Sequence, residues 1–143
     1  MAPLHRSIVA SLPKHSTPSS LVALDGSYDF QTNRAEMGEK IAVFFRSKVG
    51  IPTTVIGLPE TDRAGADLAP SALAPTIAGL NAADLIFLGP GSPSRALRRW
   101  GGTPIVEQLI ARIQNGATLI TSSAAAAASG RHTIPVYEIY KAG

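Results

Sequence analysis

The chain has 143 residues, enough for one domain with a single hydrophobic core and too few for two ordinary domains. Hydrophobic residues make up 45% of the chain and charged residues 16%, which excludes a disordered protein and fits packed α/β layers. The net charge is +3, but the basic residues are dispersed except for Arg95, Arg98 and Arg99, so no nucleic-acid partner is expected.

The chain contains no cysteine, which excludes disulfides, thiolate metal sites and a cysteine-dependent glutaminase. The three histidines are far apart and no pair has the spacing of a helical metal site, so neither a metal nor a cofactor is expected (His5, His15 and His132). No apolar run approaches the ~20 residues of a membrane span, and no signal-peptide core is visible. The expected location is therefore the cytoplasm, without membrane contact.

The first 20 residues differ in composition from the rest. A short apolar run at 7–12 is followed by a stretch rich in Pro, Ser and Thr, which is typical of a leader or a poorly ordered loop over residues 1–20. Residues 21–143 are predicted to form a single domain. Its first strand is predicted at 21–24, a compact apolar run ended by turn residues.

The next elements alternate between helix and strand. Asn33 followed by Glu36 resembles a capping box and predicts the start of a helix that Gly50 closes. The apolar residues of 55–58 predict a second strand. The Pro- and Ala-rich segment that ends at Ala82 predicts an irregular loop and a short helix.

A strand–helix–strand unit is predicted after residue 83. The run 84–88, which is apolar after Asp84, suits a strand buried on both faces, and it leads directly into the glycine-containing loop 89–93. Thr103 is a suitable N-cap for the following helix, after which a further strand is predicted. Such a βαβ unit places the ends of both strands, with Gly91 and Ser123, at one edge of a parallel sheet.

Ser123 lies where this last strand turns into a helix of small residues, in the sequence L-I-T-S-S-A-A-A. In a nucleophile elbow, a sharp strained turn holds a serine above the sheet edge, and the next backbone N–H serves as half of an oxyanion hole. The alternative is an ordinary helix start with Ser122 or Ser123 as N-cap.

The phrase A-D-L-I-F-L-G-P-G-S-P, then a helix, then G-A-T-L-I-T-S-S-A-A-A resembles the cyanophycinase and dipeptidase E serine peptidases of the class I glutamine amidotransferase-like superfamily. The resemblance spans about residues 21–143. It implies a three-layer α/β/α sandwich with a mainly parallel, flavodoxin-like sheet. It also implies serine-dependent hydrolysis of a small peptide or amide substrate.

The resemblance also implies individual roles. Ser123 takes the place of the nucleophile, and the backbone N–H groups of Gly91 and Ala124 take the places of the oxyanion donors. Glu138 takes the place of the acidic triad member, on a strand soon after the elbow helix. Glu138 has a second interpretation, as a polar residue on an edge strand.

The chain departs from the family pattern in three places. Ala125 replaces the elbow glycine, Ser92 stands where asparagine is common, and no histidine follows Glu138. His132 is the one local substitute for the base, but it lies on a turn of the kind that usually faces away from the sheet edge. We therefore expect either a chain that is incomplete at its C-terminus or a non-catalytic binding or regulatory domain.

Two further expectations concern partners. A flavodoxin-like nucleotide binder would need phosphate contacts, and the glycines of 89–91 have neither nucleotide-binding spacing nor a following lysine. An open sheet edge and apolar helix faces at the C-terminus would favour pairing with another chain, so a homo-oligomer is also expected.

Overall fold

The computed structural model describes residues 2–11 and 20–142. In these residues four strands alternate with helices: β1 (Leu21–Leu24), β2 (Thr53–Ile56), β3 (Leu85–Leu88), β4 (Thr118–Thr121), and α1 (Ala2–Ala10), α2 (Arg34–Phe44), α3 (Pro70–Asn81), α4 (Pro93–Trp100), α5 (Pro104–Gln114), α6 (Ala124–Ala128), α7 (Val136–Ala142). A π-helical turn at Phe45–Val49 extends α2, and a 3-10 turn lies at Gly65–Asp67.

The four strands form one parallel sheet in the order β2-β1-β3-β4. Leu24 pairs with Ile56 on one side and with Leu88 on the other, and Leu88 pairs with Thr121. All four carboxyl ends therefore lie at the same edge. The chain direction across the sheet reverses between β1 and β3, which is where open α/β sheets bind ligands.

Each face of the sheet is covered by its own hydrophobic core. On one face α1, α2 and the π-helical turn pack against the side chains of Leu21, Ala23 and Phe87. On the other face, side chains of α3, α4, α5 and α6 pack against Val22, Leu24 and other strand residues. This arrangement confirms the predicted α/β/α sandwich. It also explains why β1 and β3 are apolar throughout, because both of their faces are buried.

The N-terminal region differs from the predicted leader where it is described. Residues of α1 pack on the core of the α2 face, with Ile8 and Val9 against it and the imidazole of His5 buried. The His5 ring meets the rings of Phe44 and Phe45 edge-on. The Pro- and Ser-rich stretch 12–19 lies outside the described residues.

Three local predictions need correction. The helix after Asn33 forms, but the Asn33 side chain makes no capping hydrogen bond. Helix α3 has 12 residues rather than being short. Helix α4 was not predicted, although Pro93 at its first position and Ser92 as N-cap are ordinary helix-start residues. Its sequence carries three arginines, so the apolar signal was weak.

Candidate functional site

Two loops are locked together at the carboxyl edge of the sheet. The buried Ser27 Oγ, in the loop after β1, donates to the carbonyl oxygens of Gly89 and Pro90 at 3.2 and 2.8 Å. In return, the N–H of Ser92 donates to the Ser27 carbonyl oxygen at 2.8 Å. The loop after β3 is therefore held from both directions and presents its backbone in one conformation.

Gly91 lies within this interlock. Its φ is 137°, and a Cβ at this position would overlap the Ser27 carbonyl oxygen. The hydrogen bonds of the described residues occupy the Ser92 N–H and leave the Gly91 N–H without an acceptor. Of the Gly91 and Ser92 N–H groups, the predicted oxyanion donor, that of Gly91, is thus the one without an acceptor among the described residues.

Ser123 has a backbone conformation that L-residues rarely adopt. Its φ is 52° and its ψ is −118°, and it is the one non-glycine residue with positive φ in the described part of the chain. Strand β4 ends at Thr121 and α6 begins at Ala124, so Ser123 forms a sharp strand-to-helix turn. The Ser123 side chain is exposed and makes no capping hydrogen bond. The ordinary N-cap interpretation of Ser123 is therefore wrong.

The residues around Ser123 hold the turn in place. The Ser122 N–H donates to the Leu88 carbonyl oxygen at 3.0 Å, and the Ser122 carbonyl oxygen accepts from the Ala125 N–H at 3.2 Å. Ala124 and Ala125 are buried. The N–H of Ala124 is the first of α6 and, like that of Gly91, has no acceptor among the described residues. Because Ala125 packs in the core beside Ala96 and Trp100, its Cβ is accommodated by the fold.

The strain at Ser123 leads to a stability prediction. Ser123→Gly is expected to raise the free energy of unfolding by about 1 kcal/mol, because glycine adopts positive φ without steric cost. The measurement is equilibrium urea unfolding. Ser122→Gly is the matched control, and it should lower stability by up to about 1 kcal/mol because Ser122 has no positive φ to relieve. A loss of stability in Ser123→Gly would contradict the strain.

Glu138 lies on helix α7 and not on the predicted strand. Its Oε1 accepts a hydrogen bond from Ser92 Oγ, while Ser92 Oγ itself accepts the capping bond from the Arg95 N–H at 2.9 Å. Glu138 Oε2 is buried and has no hydrogen-bond partner among the described residues. The structure thus brings Glu138 next to the Gly91 loop. No hydrogen bond or ion pair within 2–11 and 20–142 joins it to Ser123.

His132 lies on the bend between α6 and α7, and its side chain is exposed. No hydrogen bond or ion pair found in the described ranges involves its imidazole or connects it to Ser123. Ser123 and the Gly91 loop therefore follow adjacent paired strands, and no basic nitrogen of a described residue is hydrogen-bonded to the serine.

A buried charge cluster beneath the edge was missed by the sequence analysis. Asp29 Oδ1 and Oδ2 lie 2.6 Å from Arg95 Nε and Arg99 Nε, respectively. The Arg99 contact is a close charge pair whose direction is too poor for a hydrogen bond. Arg99 is fully buried, and its guanidinium also donates to the carbonyl oxygens of Arg63 and Pro59, both at 2.7 Å. Positions 95 and 99 are four residues apart and share one helical face, and this spacing was the sequence signal that could have indicated a shared acidic partner.

A second ion pair joins the loop after β1 to the first residue of α2. Arg34 Nε donates to Asp25 Oδ2 at 2.6 Å, while Asp25 Oδ1 has no hydrogen-bond partner in the described ranges. Burial raises the pKa of the Asp25 carboxyl, and the charge of Arg34 partly opposes the shift. Burial and the neighbouring Asp25 charge raise the pKa of the Tyr28 hydroxyl. The side chains of Asp25 and Tyr28 are both buried, so they support the loop from within.

Among residues 2–11 and 20–142 no group of three metal-ligating side chains comes together. None of the helices in these ranges is long and apolar enough to cross a bilayer.

Comparison with known proteins supports the fold. The sequence matches no protein-family model and no curated protein. The chain is similar in structure to a peptidase from an acI-B1 Actinobacterium, with a TM-score of 0.69 and 18% sequence identity. The match covers 92% of this chain but 52% of that one, so the chain spans about half the length of this structural neighbour.

Proposed function

We propose that this chain carries the nucleophile and oxyanion hole of a serine-dependent hydrolase that cleaves peptide or amide bonds, of the cyanophycinase and dipeptidase E type. The observation that carries the proposal is the backbone of Ser123. A serine with positive φ between a parallel strand and a helix is strained by about 1–3 kcal/mol, and such strain is concentrated at functional sites. An exposed hydroxyl in this turn has the placement of a nucleophile.

The chemistry would proceed by acyl transfer. Ser123 Oγ attacks the carbonyl carbon of the substrate and its proton passes to a general base, which returns it to the departing amine. The negative charge on the carbonyl oxygen would be stabilised by the N–H groups of Gly91 and Ala124, neither of which has another acceptor within residues 2–11 and 20–142. Water then hydrolyses the acyl-serine ester, which releases the acid and restores the serine.

Glu138 is proposed as the carboxylate that orients the base. Its buried Oε2 has no partner in the part of the chain that the structure describes and is available to accept a hydrogen bond from an imidazole N–H, while Ser92 Oγ donates to Oε1. The general base is not identified, because no basic side chain among the described residues is hydrogen-bonded to Ser123. The structural neighbour is a peptidase, which supports hydrolysis as the proposed activity. The neighbour is about twice as long as the segment that matches this chain.

Reactivity toward a fluorophosphonate tests the proposal. Ser123 is expected to react slowly in this chain, because no described base is hydrogen-bonded to it and general-base assistance would accelerate the reaction about 10²- to 10⁴-fold. Added imidazole supplies a base, so the rate of Ser123 modification should rise with the concentration of neutral imidazole. The measurement is mass-spectrometric identification of the modified peptide over time.

Controls separate the candidate serines and bases. Ser123→Ala should abolish the imidazole-dependent modification, and Ser122→Ala, one residue away, should retain it. If His132→Ala abolishes a modification that occurs without imidazole, His132 is the base. If Ser123 remains unmodified at every imidazole concentration in the folded chain, the hydrolase proposal is wrong and a non-catalytic binding domain remains.

A further inference from the structure

A cavity of about 220 Å³ lies at the carboxyl edge of the sheet, on the face covered by α1 and α2. Its walls include the side chains of Ile41, Phe44, Phe45 and Phe87, and the buried His5 closes one side. The side chains that line this cavity take no part in the proposed acyl transfer at Ser123.

The cavity adjoins both halves of the candidate site. Pro90 and Ser122 line it, and they directly precede Gly91 and Ser123 in the two edge loops. A substrate whose carbonyl oxygen points at the Gly91 and Ala124 N–H groups therefore has this cavity as its nearest recess on the α2 face.

The lining selects for apolar groups of limited size. An apolar cavity of about 150 Å³ can hold benzene, so the available volume matches one phenyl or branched aliphatic side chain. The Lys40 ammonium at the rim is largely exposed and paired with Glu36 at 2.6 Å, so it does not form a buried anion receptor. An acidic side chain would lose much of its hydration in this cavity, because most of the lining side chains are apolar.

We propose that this cavity binds an aromatic or branched aliphatic side chain of the substrate, on the residue that carries the carbonyl attacked by Ser123. The inference rests on the proposed function and adds the substrate class: peptides or amides with an apolar residue on the acyl side of the cleaved bond.

Binding can be measured without chemistry, in the Ser123→Ala variant. The probes are the N-acetyl amides of phenylalanine, leucine, aspartate and glycine, and the reporter is the NMR signal of the His5 ring protons, assigned with His15→Gln and His132→Gln. Phenylalanine and leucine amides should shift the His5 signals and bind about ten- to a hundredfold more tightly than the glycine amide. Equal affinity for the aspartate and phenylalanine amides would overturn the inference.

A matched pair of variants tests the location. Ile41→Phe fills the cavity and should weaken binding of the phenylalanine amide at least about tenfold. Val43→Phe makes a comparable enlargement on the same helix, at a residue that is 40% exposed and does not line the cavity, and should bind as before. Unchanged urea midpoints verify that both variants fold. Equal binding by the two folded variants would contradict the assignment.

Reactivity of Ser123 gives an independent measurement and does not require a cavity variant. With imidazole present, a phosphonate bearing a benzyl group should modify Ser123 at least about tenfold faster than one bearing a methyl group. If neither phosphonate reacts while the apolar amides still bind, the hydrolase proposal fails and the binding cavity stands. If both react at the same rate, the cavity assignment fails and Ser123 remains the nucleophile.

Discussion

Asp29→Ala is expected to lower the free energy of unfolding by about 3–5 kcal/mol, because it leaves the buried guanidinium of Arg99 without its counter-charge. Arg95 loses the same partner, although its side chain is 12% exposed and also donates to the Thr61 carbonyl oxygen. The measurement is equilibrium urea unfolding at neutral pH. The reduction should be visible as a lower midpoint with an unchanged slope.

Asp62→Ala is the matched control for this change. Asp62 also faces Arg95, at 3.8 Å, but its side chain is fully exposed. Its removal should leave the urea midpoint unchanged within error, since solvent screens exposed ion pairs. Equal midpoints for Asp29→Ala and the unmodified chain would show that the buried cluster does not hold the loop 59–63 to helix α4.

Gly91→Ala is expected to destabilise the chain by about 2–4 kcal/mol and to abolish the imidazole-dependent modification of Ser123. Two causes combine: the positive φ of 137° and the overlap of a Cβ with the Ser27 carbonyl oxygen. Relief of that overlap would displace the loop and move the Gly91 N–H from its position. Urea unfolding and fluorophosphonate modification measure the two effects separately.

Gly50→Ala measures the effect of positive φ alone, without the overlap of a Cβ with a neighbouring atom. Gly50 also has positive φ, 85°, but a Cβ there would meet nothing within 4 Å, and the residue follows the π-helical turn far from the edge loops in sequence. It should cost about 1 kcal/mol and leave Ser123 modification intact. Similar losses of stability and reactivity in both glycine variants would contradict the interlock of the Ser27 and Gly91 loops.

The sheet was predictable from the sequence because its central strands are buried on both faces. In the run 84–88, all residues after Asp84 are apolar, and they form β3 at Leu85–Leu88. The turn at Ser123 was also predictable, since a strand pattern meets small helix-forming residues there and the backbone must reverse within two residues. These signals are local in the chain, so a single sequence contains them.

Long-range charge pairing could not be predicted in the same way. Asp29 meets Arg95 and Arg99 across more than 60 positions, and the arginines were interpreted only as a small basic cluster. Glu138 was placed on a strand because the family resemblance implied a strand soon after the elbow helix, yet Val136–Ala142 is helical. Local propensity is a weak prior when the neighbouring packing decides the conformation.

Strand β4 is an outer strand of the described sheet, and this has a consequence for the turn that follows it. The N–H groups of Thr118 and Ser122 donate toward β3, so those of Leu119 and Thr121, which alternate with them, point outward. A segment that paired along this side would restrain Thr121, two residues before Ser123, from a second direction. Association at the edge of β4 and the conformation of Ser123 are therefore thermodynamically linked, and each would change the equilibrium of the other.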